Sequence, residues 1–156
     1  MKKVLIELPT WLGDAVMTTP AIENLTKYFV DIEITLLGSF ESIETLKSHP
    51  KVIKTYLIDK NYFTIYKIIK DLDEFDFFFS FRGSMRSKII KFCISSKYKF
   101  QFDKSKYTQG HQVEKYNQLI NDSLQIKTNP NKLILHNKKS NIEKKYKLLG
   151  INPGAS

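Results

Sequence analysis

Cysteine is almost absent from this sequence. Cys93 is the only one, so no disulfide can form within the chain, and a reducing compartment is the natural setting. Lying in an apolar stretch, Cys93 reads as a small core residue. Proline and glycine are also few, at 5 and 6 in 156 residues, and no low-complexity segment occurs, which excludes a disordered or fibrous chain. The length suits one domain able to bury a core without staples. No stretch approaches the roughly 20 apolar residues of a membrane span. At the N-terminus, Glu7 and Pro9 cut the apolar run Val4-Leu5-Ile6 too short for a signal peptide. These absences lead to the expectation of a cytoplasmic protein that touches a membrane surface at most. Metal-ligand spacing is missing too: His49, His111 and His136 are scattered along the chain and read as a turn residue, a helix-start residue and a strand-end residue. No metal and no cofactor is expected.

What is abundant is lysine. The formal charge of +9 invites an anionic partner, whether nucleic acid, a phosphorylated glycolipid or an anionic bilayer face. A chain rich in Lys, Asn, Ile, Phe and Tyr throughout also gives a merely solvated basic surface. Arginine discriminates better, because only Arg82 and Arg86 among 25 basic residues are arginines, and they stand four apart.

Apolar patterning alternates between strand and helix. Lys3 to Leu8 is a nearly continuous apolar run ending at Pro9, the pattern of a buried parallel strand. Ile22, Leu25, Tyr28 and Phe29 then recur at helical spacing, with Pro20 either kinking that helix or sitting in its first turn. Ile32 to Leu37, Val52 to Ile58, Phe75 to Phe81 and Tyr98 to Phe102 read as further strands. Ser42 to Lys47, the Tyr62-Ile65-Ile68-Ile69-Leu72 stripe, Ser84 to Ile94 and Val113 to Leu124 read as helices. Repeated units of this kind predict an α/β, Rossmann-like, mostly parallel open sheet with helices on both faces. Thr128-Asn129-Pro130-Asn131 is the linker candidate. Ile142 to Leu149 is helical in pattern, and Gly150 to Ser156 opens something new. The expected division is therefore a first domain over 1–149 and the start of a second over 150–156.

In open α/β sheets ligands bind beyond the carboxyl ends of the strands. The first such loop, Pro9-Thr10-Trp11-Leu12-Gly13-Asp14, holds the only tryptophan, a glycine suited to a tight turn, and an aspartate at the start of a helix. There the unpaired N–H groups and positive helix end favour a carboxylate. Asp14 reads as either a helix cap or a functional base. Arg82 and Arg86 follow the fourth strand, where a spacing of four on an incipient helix would put both on one side. Guanidinium grips phosphate or carboxylate in two-pronged fashion, which lysine cannot do. Surface charge is the alternative.

Pro9-Thr10-Trp11-Leu12-Gly13-Asp14-Ala15-Val16-Met17, followed by Thr19-Pro20-Ala21, resembles the N-terminal motif of the ADP-heptose heptosyltransferases, glycosyltransferase family 9. Its form is closer to heptosyltransferase II than to heptosyltransferase I. His111-Gln112-Val113-Glu114-Lys115-Tyr116 is similar to the family's His-x-Val-Glu-Arg-Tyr segment, and Asn152-Pro153-Gly154-Ala155-Ser156 to the opening of its donor domain. The resemblance implies a GT-B enzyme whose two Rossmann-like domains face each other across a cleft, with this chain as the N-terminal, acceptor-side half. It implies that Asp14 is the general base of an inverting transfer of heptose from ADP-L-glycero-D-manno-heptose to the inner core of lipopolysaccharide. Trp11 and Gly13 would serve the acceptor, and Gly154 and Ser156 the donor; Arg82 and Arg86, which match no family motif, are assigned to the acceptor by their position after the fourth strand alone. The inner-membrane surface is a possible peripheral partner; nucleic acid is not expected as one. By itself the chain should fold yet transfer nothing. Alternatives are a basic nucleic-acid-binding domain, a module without donor, and a family 9 transferase using another nucleotide sugar.

Overall fold

The computed structural model describes residues 1–58 and 61–136. In chain order the elements are β1 (Lys2–Glu7), α1 (Leu12–Met17), α2 (Thr19–Tyr28), β2 (Ile32–Gly38), α3 (Phe40–Leu46), β3 (Val52–Leu57), α4 (Tyr62–Asp71), β4 (Phe75–Ser80), α5 (Met85–Cys93), β5 (Ser96–Gln101) and α6 (Gln112–Leu124). The strands pair in parallel in the order β3-β2-β1-β4-β5. Helices cover both faces, as the sequence pattern predicts. Because β1 is central and covered on both sides, Val4, Leu5, Ile6 and even Glu7 lose all solvent contact.

Alternation along β1 divides the core. Val4, Ile6 and Leu8 join Ala15, Ile22, Leu25, Ile43 and Ile120 beneath α1, α2, α3 and α6. Leu5 instead joins Phe78, Ile65, Ile90 and Ile94 beneath α4 and α5. Order reverses at β1, whose neighbours are β2 on one side and β4 on the other. Beyond its carboxyl end the loops must part, which is where open sheets bind ligands.

Pro20 lies in the first turn of α2, one of its two expected places, where its missing N–H costs nothing; a separate short helix, α1, ends just before it with Thr18 as its C-cap. Other local expectations are corrected. Cys93 is exposed rather than core, at the last position of α5, whose buried residues are Ser87 and Ile90. His136 ends no strand, because residues 126–136 contain neither strand nor helix. The linker candidate is held fast. The Asn117 amide donates to the Thr128 carbonyl at 2.6 Å, Asn24 donates to the Asn129 carbonyl at 3.0 Å, and Asn131 donates back to Asn24 at 3.1 Å. Gly154, Ser156, the helix expected over 142–149 and the boundary at 149/150 lie outside the described residues.

Candidate active site

A cleft of about 300 Å³ opens at the carboxyl ends of β1, β4 and β5. The β1–α1 loop contributes Pro9, Thr10, Trp11 and Asp14; the β4–α5 loop contributes Phe81, Arg82, Gly83 and Ser84; Phe102 and Lys104 follow β5, and Gln112 and Tyr116 come from α6.

The first loop is fixed from behind. Ser39 caps α3 and donates its hydroxyl to the Thr10 carbonyl at 3.0 Å, and the Ser42 hydroxyl donates to the Pro9 carbonyl. Trp11 occupies the N-cap position of α1 without a side-chain capping bond, so its indole stays exposed. Asp14, in the first turn of that helix, does not cap it either. Among the described residues nothing donates a hydrogen bond to its carboxylate, and Asp14 lines the cleft wall. Gly13 is helical, not a turn residue, and a Cβ there would meet no atom within 4 Å. The tight turn to which Gly13 was suited is thus the first turn of a helix instead.

Opposite stands Arg82. It precedes α5, whose N-cap is Ser84, so the helical spacing expected to align Arg82 with Arg86 does not exist. Arg82 lines the cleft; Arg86 does not. The two meet instead through Glu7, a fully buried carboxylate at the end of β1. Glu7 accepts from Ser80 Oγ at 2.5 Å and Ser87 Oγ at 2.8 Å, and its Oε1 lies 3.9 Å from Arg82 Nε. Burial pushes its pKa above the ordinary carboxylate range, while both hydroxyls and both arginines pull it back. The backbone of Arg82 is pinned as well, its carbonyl accepting from Gln101 Nε2 at 3.1 Å. At Gly83 a Cβ would come within 3.2 Å of the Phe102 carbonyl, so glycine lets this loop lie against the end of β5.

The back wall is aromatic. Tyr116 packs edge-on to both Phe81 and Phe102, with ring centroids 5.3 and 5.1 Å apart. Burial, then the nearby charge of Asp14, raise the Tyr116 hydroxyl pKa to about 12, so it remains a donor at any physiological pH. Tyr116 is aimed by the start of α6, where the His111 side chain and Glu114 complete a capping box. His111 is therefore a helix-start residue as expected.

The other two histidines are not scattered. Glu23 on α2 gathers His49 and His136, its Oε1 lying 3.3 Å and 2.7 Å from their Nε2 atoms. These three could in principle ligate a metal, but His49 Nδ1 accepts from the Lys51 N–H at 3.1 Å. Its ring proton must then sit on Nε2, facing Glu23. A ligating histidine donates from its second nitrogen, so the cluster is better suited to act as a hydrogen-bonded clamp.

No family model matches the chain. Over 99% of its length it is 39% identical to lipooligosaccharide heptosyltransferase 2 of Campylobacter jejuni serotype O:2, and 38% identical to the protein of the same name from serotype O:6. This chain belongs to the heptosyltransferase family. It spans about half the length of these curated relatives, 50% and 51%. Solved heptosyltransferases share the fold at low identity. The E. coli heptosyltransferase WaaC with ADP-2-deoxy-2-fluoro heptose superposes with a TM-score of 0.72 at 16% identity, over 84% of this chain and 51% of that one. For E. coli ADP-heptose lps heptosyltransferase II the TM-score is 0.65 at 16% identity, over 88% and 46%.

Within this family frame, sequence reasoning placed Trp11, Asp14 and Arg82 on one cleft. Glu7, Lys104, Gln112 and Tyr116 were missed as site residues. The last two lie in the His111–Tyr116 segment that carried the resemblance, so a signal was there without a role attached.

Proposed function

We propose that the chain forms the acceptor-side wall of an inverting ADP-heptose:lipopolysaccharide heptosyltransferase, with Asp14 as general base. The observation that carries this reading is the Asp14 carboxylate itself, unclaimed by any donor among the described residues and facing a cleft whose opposite side bears Arg82 and Lys104. An acceptor hydroxyl held there gives its proton to Asp14 as its oxygen attacks the anomeric carbon of the donor heptose. The bond to ADP breaks on the far side, so configuration inverts and the leaving diphosphate keeps the bonding electrons. Positioning matters more than basicity, since the hydroxyl becomes acidic only as the new bond forms.

Trp11 offers a flat apolar face to a sugar, Gly13 lets the acceptor approach the helix, and Arg82 meets the acidic groups of the inner core. Arg86 acts from behind, through the field it shares with Glu7. A second domain, taken to open at residue 150 and to bring Gly154 and Ser156 to the donor, holds ADP-heptose without a metal. Since the acceptor is a glycolipid, the enzyme works at the cytoplasmic face of the inner membrane. The test is Asp14→Asn in the full-length protein: transfer should fall by roughly 10²–10⁴ while folding and donor affinity persist. Near-normal turnover would leave Asp14 without a catalytic role.

A further inference from the structure

Helix α5 is apolar on two opposite sides. Ser87, Ile90 and the following Ile94 are buried against the sheet, yet Met85, Ile89 and Phe92 recur at spacings of four and three on the outside. Phe92 is 86% exposed and Met85 71%. A helix with a second apolar stripe calls for something to cover it. Its neighbour repeats the pattern. On α4, which packs beside α5 on the same core, Phe63 and Tyr66 are exposed. Lys67 Nζ sits 4.7 Å from the Phe63 ring centroid and Lys70 Nζ 5.4 Å from that of Tyr66. Between α5 and β5, Lys88, Lys91 and Lys99 surround Phe92 in a shallow groove of about 550 Å³. Asp71, at the last turn of α4, is the only acidic residue within either helix.

We propose that this α4–α5 face is a docking surface for an anionic lipid bilayer. Exposed aromatic and aliphatic side chains enter the headgroup boundary, while lysines with long apolar stems reach lipid phosphates. Charge complementarity selects the bilayer over an apolar protein groove, which lysines at this density would oppose. Geometry gives the contact a use: α5 starts immediately after Arg82-Gly83-Ser84 on the cleft wall, so a membrane seated on α5 lies beside the cleft mouth. This use rests on the glycolipid acceptor proposed above; the docking itself does not.

The experiment is flotation of the full-length protein with vesicles of phosphatidylethanolamine plus phosphatidylglycerol, against phosphatidylcholine alone, without any lipopolysaccharide. Binding to the anionic vesicles, weakening as salt rises, is expected. Lys67→Gln with Lys88→Gln should reduce it about twenty-five-fold, at roughly fivefold per lysine, and Met85→Ser with Phe92→Ser should reduce it without changing the salt dependence. All four side chains are exposed, so the fold is spared. Both variants should retain turnover on a deacylated, water-soluble acceptor and lose it on a vesicle-embedded one. Wild-type protein that binds the anionic vesicles but transfers heptose to neither acceptor would instead count against the heptosyl reading and leave the docking standing. Equal binding to both vesicle types, or unchanged binding by both variants, overturns the proposal. So does a dimer that the variants dissolve, or binding of single-stranded oligonucleotides through these residues in place of vesicles.

Discussion

Arg82 Nε lies 3.9 Å from Oε1 of Glu7, and neither side chain has much solvent: Glu7 has none and Arg82 is 14% exposed. A buried carboxylate beneath a cleft arginine is a positioning device. Its Oε1 faces the Nε side of the guanidinium, and the Arg82 side chain lines the cleft. Glu7→Gln keeps volume but removes the counter-charge, so Arg82 should lose its anchor. The acceptor KM should rise on the order of tenfold, about what one charge-assisted hydrogen bond contributes, with kcat and donor KM little changed. Glu7 also couples stability to pH. Because burial raises the Glu7 pKa in the folded chain, its contribution is fully present below the ordinary carboxylate range and is lost as pH rises through the folded value. The stability difference between wild type and Glu7→Gln, measured by urea denaturation, should therefore shift against wild type as pH rises. A difference that is flat with pH, with an unchanged acceptor KM, would make Glu7 a bystander.

Asp14 and Glu7 show how far the sequence could be read. Asp14 was legible because its neighbours are local: a buried strand, a proline stop, a tryptophan and a helix start occupy a few consecutive residues. Glu7 was not, since an acid at the end of an apolar run looks like the place where burial stops. What makes it tolerable inside are hydroxyls 73 and 80 residues away, and only the pairing of β1 with β4 brings them near. The same holds for His49 and His136, brought together on Glu23 by the return of residues 126–136 across α2. The parallel sheet needed no such long-range knowledge. Each βα unit carries its own periodicity, and the right-handed crossover rule leaves few ways to stack them.

Gly13 gives a discriminating substitution. It is helical and open, so Gly13→Ala should raise stability by up to about 1 kcal/mol, seen as a higher Tm. If the acceptor passes over this turn, its KM should rise at the same time. A stabilised variant with an unchanged acceptor KM would remove Gly13 from the acceptor site.

The clamp on Glu23 predicts a pH dependence. Burial, opposed by Glu23 and assisted by the charges of His136 and Lys51, lowers the His49 pKa below the ordinary histidine value. The unfolded chain then takes up a proton first as pH falls. Stability contributed by neutral His49 is complete above roughly pH 6.5 and is lost as pH drops toward the folded value. Denaturant midpoints should decline across that window in wild type and more shallowly in His49→Gln. Identical slopes would sever this clamp from the acid response.

Arg82→Lys and Arg86→Lys separate contact from field. Arg82 has two tasks at once: Nε faces Glu7 while the rest of the side chain lines the cleft. Lysine has one ammonium and cannot be in both places. In Arg82→Lys the head group should be drawn toward the buried carboxylate, because leaving Glu7 without a close positive partner costs more than leaving the cleft. The charge persists, but two-pronged recognition of an acidic acceptor does not. Acceptor affinity should fall roughly tenfold by calorimetric titration, equivalent to about 1.4 kcal/mol, with donor affinity nearly constant. Arg86 does not line the cleft and influences Glu7 and Arg82 through its charge, which lysine retains. Arg86→Lys should therefore cost about threefold at most. Equal losses in both variants would mean that Arg86 reaches the acceptor directly, and no loss in either would take the arginines out of the site.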